Sequence, residues 1–172
     1  MILETERLVL RPIESDDWRA LYPIMSDPVV MAHWDSSEIE DPDVVQQMIA
    51  AQVEEMTAEQ ACYWAVERAP DHAFLGACDL SDIDWRHRRG EVGFVLANIA
   101  WGQGYGLEAM RAVVHHAAAT LGLKRLWARS HAGNERSERL LRRLGFEEEG
   151  YLRGHIQRGG ERRDCRIFGL LL

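Results

Sequence analysis

Residues 101 to 109 read Trp-Gly-Gln-Gly-Tyr-Gly-Leu-Glu-Ala, with glycine at 102, 104 and 106. Just before this run, Glu91 to Leu96 has the composition of a strand; just after it, Leu107, Met110, Val114, Ala117 and Leu121 recur at helical spacing. The run is therefore a strand-to-helix turn, and it commits the chain to a fold in which a strand feeds a helix. Glycines at alternate positions leave successive backbone N–H groups uncovered by side chains. The first helical turn adds its own unpaired N–H groups and the positive end of its dipole. Such a turn can cradle a phosphate or pyrophosphate. The same pattern also serves as a flexible turn with close helix–strand packing.

Three nucleotide-type readings compete for the turn. A Walker loop needs Gly-Lys-Ser/Thr, and neither the lysine nor the hydroxyl is present. Gly104-x-Gly106-x-x-Ala109 satisfies the dinucleotide pattern, as a nicotinamide-dependent oxidoreductase would require. That pattern expects an acidic residue about 20 positions further on, and Arg125 to Gly133 contains none. The third reading is a turn that cradles the pyrophosphate of another nucleotide-bearing ligand.

The flanking sequence supplies the other elements. Leu8 to Leu10 reads as a strand closed by Pro12. Ser15-Asp16-Asp17 starts a helix carrying Trp18, Leu21, Tyr22 and Met25, which Pro23 should shorten or kink. Asp27-Pro28 starts another running to Trp34, and Asp35 to Asp43 is an acidic loop. Asp41 as N-cap with Pro42 behind it opens a helix with Val45, Met48, Ile49, Val53 and Met56 inward. Strands follow around Cys62 to Val66, Phe74 to Leu80 and Glu91 to Leu96. Beyond the long helix, ended by Gly122, come a strand at Leu126 to Ser130 and a helix from Asn134 to Gly145. Strands around Phe146 to Leu152 and Arg163 to Leu171 finish the chain. The expected fold is one mixed α/β domain over residues 1–172, with helices on both faces of a mixed sheet.

Charge is unevenly divided. Residues 1–90 hold 7 Lys/Arg against 19 Asp/Glu, and residues 91–172 hold 13 against 9, within a net charge of −8. Placed side by side, the halves would offer one face to an anionic ligand and one to a cationic ligand; the other reading is a solvated surface. No Lys/Arg stripe interleaved with aromatics suggests nucleic acid. No run of about 18 apolar residues suggests a membrane span. Met1 to Arg7 does not have the pattern of a secretory signal. Cys62, Cys78 and Cys165 are spaced for neither a disulfide framework nor a zinc site, and no metal is expected; the cysteines fit a reducing cytoplasm.

Taken together, these segments resemble the GNAT acetyltransferases, in the branch similar to ribosomal-protein N-terminal acetyltransferases (RimJ/RimL-like). Glu4 to Pro12 resembles that branch's opening, Glu91 to Leu96 its fourth strand, and Trp101 to Ala109 its acyl-CoA signature. Asn134, Ser137 and Leu140 with Leu144-Gly145-Phe146 resemble its second cofactor motif, and Gly150 to Arg153, Gly160 and Asp164 its closing segment. The resemblance implies a sheet splayed around acetyl-CoA, used as a co-substrate. It implies that the backbone of Phe94, Val95 and Leu96 holds the pantetheine arm. Trp101, Gly102, Gln103, Gly104, Tyr105, Gly106 and Leu107 would form the pyrophosphate cradle, with Asn134 and Ser137 touching the cofactor from the other side.

The implied reaction passes an acetyl group directly to a primary amine, and the amine must first lose a proton. Glu91 matches a strand position where related enzymes place a catalytic Glu; its other reading is a solvated carboxylate beside Arg89. A strand N–H near Phe94 or Val95 is a candidate oxyanion donor. Leu141 stands where many relatives carry a Tyr that protonates the leaving thiolate, which leaves Tyr105, Ser137 or water for that role. The expected partners are acetyl-CoA and an amine acceptor, such as a basic peptide N-terminus or a polyamine, taken by a monomer or homodimer. A second function class is an acyl-CoA-binding module without turnover.

Overall fold

The alternating segments meet edge to edge in one eight-stranded sheet. In the computed structural model, which describes residues 1–172, the strands are β1 (Leu3–Glu4), β2 (Leu8–Pro12), β3 (Cys62–Arg68), β4 (Ala73–Asp84), β5 (Arg89–Leu96), β6 (Arg125–His131), β7 (Glu147–Arg158) and β8 (Glu161–Leu171). Their order is β1-β2-β3-β4-β5-β6-β8-β7. Helices α1 (Trp18–Met25), α2 (Pro28–Met31) and α3 (Pro42–Thr57) lie between β2 and β3. Helix α4 (Tyr105–Ala119) joins β5 to β6, and α5 (Glu135–Arg143) joins β6 to β7. All pairings are antiparallel except β5 with β6, the one pair that needs a helical crossover. This is the expected mixed α/β architecture.

Strand alternation divides the core between the two faces of the sheet. On one face Leu8, Leu10, Trp64, Leu80, Val92, Leu126 and Phe168 pack with Met110, Val113 and Ala117 of α4 and Leu141 of α5. On the other, Val95 packs with Leu21, Ile24, Met31, Val45 and Ile49 of the first three helices. Glu91 and Gly93 share the face of Val95, so Glu91 looks toward α1 to α3 rather than toward α4.

The functional consequence of the topology lies between β5 and β6. Their pairing ends after Arg89–Arg125, Gly90–Leu126 and Glu91–Trp127. Pairing of β5 with β4 continues on the opposite edge as far as Leu96–Gly76. From Val92 onward β5 therefore has one edge without a strand partner, and the sheet opens into a V. Continued pairing of β6 with β8 leads the far arm away.

Several boundaries differ from the sequence expectation. β1 is additional: two residues are too few to show a period, and pairing with Val9 and Leu10 makes it a strand. Pro23 sits in the last turn of α1 without ending it, because only the Arg19 carbonyl loses its helical donor there. α2 stops at Met31 instead of reaching Trp34. On α4 the fully buried position is Val113, with Val114 only partly covered. β4, β7 and β8 outrun their predicted spans because paired neighbours extend them. No helix is long and apolar enough to cross a membrane.

Candidate active site

The mouth of the V is a cleft of about 1390 Å³. One wall carries Glu91 and Phe94 to Leu96 of β5, then Trp101, Gly102, Gly104, Gly106 and Leu107; the other carries Asn134 and Ser137 at the start of α5. Gln103 and Tyr105, the remaining residues of the expected cradle, do not line it. The Gln103 side chain turns back to donate from Nε2 to the Ile99 carbonyl at 2.7 Å. Tyr105 is buried, with the Arg7 guanidinium 4.7 Å from its ring centroid.

The glycines of the turn have different local reasons. Gly102 and Gly104 have φ of +75° and +85°, a left-handed backbone that side chains rarely adopt, and Gly104 is the N-cap of α4. Space around a Cβ at Gly102 is open. Gly106 is already helical, and a Cβ there would stand 3.0 Å from Leu140 Cδ1 and 3.3 Å from Leu96 Cδ1. It is thus also the close contact between α4, α5 and β5. Trp101 folds over the turn, donating from Nε1 to the Leu96 carbonyl at 3.0 Å, and Arg136 lies 3.7 Å from its ring centroid. That leaves Leu96 with one internal partner at the strand edge.

Two helix N-termini open into this end of the cleft. Asn134 caps α5, its Oδ1 accepting from the Ser137 N–H at 3.3 Å, and both residues still face the cleft. Arg136, Arg139 and Arg143 add cationic charge on the same wall, offset in part by Glu135, which pairs with Arg139 at 2.9 Å. The dipoles and guanidinium groups make this end attractive to an anion.

The other end has the opposite sign. Glu91 projects from β5 beside Asp35 and Asp79. Burial pushes the Glu91 carboxyl up to about 7; Arg129 opposes this, while Asp79, Asp82 and Asp35 reinforce it. Arg89, a partner the sequence allows for Glu91, pairs instead with Asp84 at 3.4 Å. Asp79 lies opposite Gly93 and next to Ser81, whose hydroxyl donates to Oδ2 at 2.9 Å. Its Oδ1 would be only 2.6 Å from a Cβ on residue 93, so glycine there makes room for the carboxylate. Burial pushes Asp79 up to about 6, the Ser81 hydrogen bond opposing and Glu55 reinforcing. Tyr63, opposite Asp79 on β3, donates to Glu55 Oε2 at 2.6 Å; burial, then that hydrogen bond, raise its phenol.

Asp35 reaches the cleft from the acidic loop and is held there by Arg129 Nη2 at 2.8 Å and His131 Nε2 at 2.9 Å. Of the acidic residues from Asp35 to Asp43, only Asp35 lines the cleft. Asp41 caps α3, accepting from the Asp43 N–H at 2.9 Å. Asp79 carries no motif of its own. Its alternation with Cys78 and Leu80 places it on the polar side of a strand, but only the strand register brings it near Glu91.

For a leaving group the cleft offers few acids. Leu141 is buried apolar surface, and Tyr105 is buried and does not line the cleft. Ser137, one turn before Leu141, lines the cleft from the start of α5, with Ser130 on β6 and Ser81 on β4 the other hydroxyls in its lining.

Residues 7–147 match the family model described as "Acetyltransferase (GNAT) domain". The Bacillus licheniformis protein named "Uncharacterized N-acetyltransferase p20" is 31% identical over 98% of this chain and 95% of its own length. The Bacillus subtilis protein named "Uncharacterized N-acetyltransferase YoaA" is 29% identical over 99% and 96%. Two Escherichia coli relatives are a spermidine N(1)-acetyltransferase (24% identical, covering 91% of this chain and 81% of that protein) and a [ribosomal protein uS5]-alanine N-acetyltransferase (26%, covering 94% and 86%). The crystal structure of a GNAT-family acetyltransferase from Bacillus anthracis superposes with a TM-score of 0.86 at 24% identity, covering 99% of this chain and 98% of that one. A strand-to-helix glycine turn, a sheet that opens beside it and a family match across most of the length agree: the chain belongs to the GNAT acetyltransferase family.

Proposed function

We propose that this N-acetyltransferase moves an acetyl group from acetyl-CoA to a cationic primary amine by direct attack, with Glu91 as the general base. The observation that carries the reading is the bipolar cleft. Glycine-turn N–H groups, two helix N-termini and Arg136, Arg139 and Arg143 gather at one end, and Glu91, Asp79 and Asp35 at the other. The first end suits the pyrophosphate of acetyl-CoA, the co-substrate of GNAT acetyltransferases. The second suits an amine that arrives protonated.

The open edge of β5 from Val92 onward provides backbone groups for an extended pantetheine arm, chiefly at Phe94 and the Leu96 N–H: Val95 turns its own toward Ala77 of β4, and Trp101 occupies the Leu96 carbonyl. Glu91, titrating near 7, accepts the ammonium proton at neutral pH. The freed amine forms the N–C bond as the C–S bond breaks; the acylated nitrogen then sheds its second proton, which reaches the departing thiolate through Ser137 or water. A thiol's pKa of about 8.5 makes that last step undemanding.

Relatives named for spermidine and for a ribosomal-protein alanine both act on amines. The test is thiol release from acetyl-CoA with a matched panel: a polyamine, a basic peptide with a free N-terminus, a neutral amine and an acidic peptide. Preference for the first two supports the reading. Turnover confined to the neutral or acidic acceptors overturns the cationic assignment. Tight acetyl-CoA binding with no turnover on any member favours a binding module.

A further inference from the structure

We infer that Thr5, Arg7 and Glu108 form a clamp that presets the glycine turn for its ligand, a positioning role that rests on the cradle reading above. Glu108 stands in the first turn of α4, yet it does not line the cleft. Both of its oxygens are taken by the N-terminal segment, about a hundred residues away. Oε1 accepts from Thr5 Oγ1 at 2.6 Å and from the Arg7 backbone N–H at 2.9 Å. Oε2 accepts from Arg7 Nε at 2.7 Å and pairs with Nη2 at 2.6 Å. Both guanidinium contacts converge on Oε2 while Oε1 takes the Arg7 backbone N–H, so the carboxylate fixes residue 7 by side chain and main chain at once.

The same guanidinium then grips the turn itself. Arg7 Nη1 donates to the Gln103 carbonyl at 3.0 Å, and Nη2 would stand 3.3 Å from a Cβ on Gly104. Gln103 lies between the two left-handed glycines, so its carbonyl direction and the N–H directions on either side are linked. A turn with glycine at alternate positions has more conformations to lose than one built from residues with side chains. Glu108 holds Arg7, Arg7 holds Gln103, and the backbone donors keep one arrangement before a ligand arrives. Preset donors spare the ligand the cost of ordering them, which appears as affinity for the pyrophosphate portion alone. An ordinary ion pair between a strand and a helix would not need the third contact to Gln103.

Glu108→Gln, Arg7→Ala and Arg7→Lys separate positioning from stability. Donor affinity is measured by calorimetry with CoA, and kcat and KM with acetyl-CoA and with S-acetyl-pantetheine, which lacks the pyrophosphate. Glu108→Gln and Arg7→Ala are expected to weaken CoA binding by about tenfold, with Arg7→Lys between these and the parent. KM for the acceptor and kcat/KM for S-acetyl-pantetheine should stay within about twofold of the parent. Equal losses with both donors would show a merely structural pair and overturn the clamp. Unchanged CoA affinity in folded Glu108→Gln and Arg7→Ala variants would also overturn it. Gly104→Glu serves as the control: if it too leaves CoA affinity intact, the cradle reading itself fails and the clamp with it. Should Arg7→Ala fail to fold, Thr5→Val removes the hydroxyl bond to Glu108 Oε1, and no change in CoA affinity there or in Glu108→Gln counts against the clamp.

Discussion

Asp79 and Glu91 face the same cleft from neighbouring strands, one cross-strand pair apart, with Ser81 opposite Glu91 and Gly93 opposite Asp79. Burial raises both carboxyls, to about 6 and about 7, and each lies within a predominantly acidic neighbourhood. Two acids that resist ionisation form a place where a cation is welcome and a proton can be accepted near neutral pH. Glu91 has the position expected of a base; Asp79 gives it a tuned partner.

The first prediction concerns Glu91. In the parent enzyme kcat/KM should rise with pH through about 7 as the carboxyl loses its proton, then level off. Glu91→Gln should reduce kcat by roughly 10²–10⁴ and remove that limb from the pH profile, with CoA affinity nearly unchanged. Near-parental turnover at pH 7 would return Glu91 to a structural role.

Asp79 tests the tuning. Its negative charge raises Glu91, as do Asp82 and Asp35, while Arg129 on β6 acts in the other sense. Asp79→Asn takes one negative neighbour away, so the Glu91 limb should move to lower pH, by about half a unit to one unit. A limb that stays in place, or moves upward, would contradict electrostatic coupling across the strand pair.

Linkage gives an independent readout of Glu91. The folded protein holds its proton up to about 7, above the ordinary 4.5, so ionisation disfavours the folded state. Stability should fall as pH rises from 4.5 through 7, and the cost is complete above 7. Glu91→Gln should therefore match the parent near pH 4 and exceed it near pH 8. Allowing for solvent contact at the cleft, the gain is about 1 kcal/mol, visible as a higher Tm. Equal Tm differences at both pH values would show that burial does not oppose the charge.

How much of this was legible in the sequence depends on whether the signal was local. The glycine turn, the Asn134 cap and the amphipathic α4 announce themselves within a few residues, and they led directly to the cleft. Asp79 needed the β4–β5 register, and the Arg7–Glu108 pair joins residues 101 positions apart, so neither could be read from spacing. The acidic loop Asp35 to Asp43 is opaque for the same reason. Charge counts do not tell that Asp41 is engaged as a cap while Asp35 is turned into the cleft.

The glycines of the turn should also separate by experiment. Gly104→Glu places a carboxylate and a disfavoured backbone at the cradle; CoA affinity should fall tenfold or more, about 1.4 kcal/mol, in a protein that still folds. Gly106→Glu must also displace Leu140 and Leu96, so Tm should drop together with affinity. A Gly106 variant with parental Tm would mean that α4 and α5 are not packed through this residue.

Asp35 provides the test of acceptor charge. The exposed members of the acidic loop differ in what they face. Glu40 uses only its carbonyl, which accepts from the Tyr22 hydroxyl at 2.8 Å, and its side chain is outside the cleft. Asp35 lines the cleft with Glu91 and Asp79, although Arg129 and His131 share its charge. A cationic acceptor drawn by this end should show KM rising with ionic strength, since charges at a cleft mouth are screened over about 8 Å at physiological salt. Asp35→Asn should raise acceptor KM several-fold and flatten its salt dependence, leaving KM for acetyl-CoA within about twofold. Glu40→Gln, remote from the cleft, should leave both KM values and the salt slope unchanged. If Asp35→Asn behaves like Glu40→Gln, the acceptor does not sense the loop and its recognition rests on Glu91 and Asp79 alone.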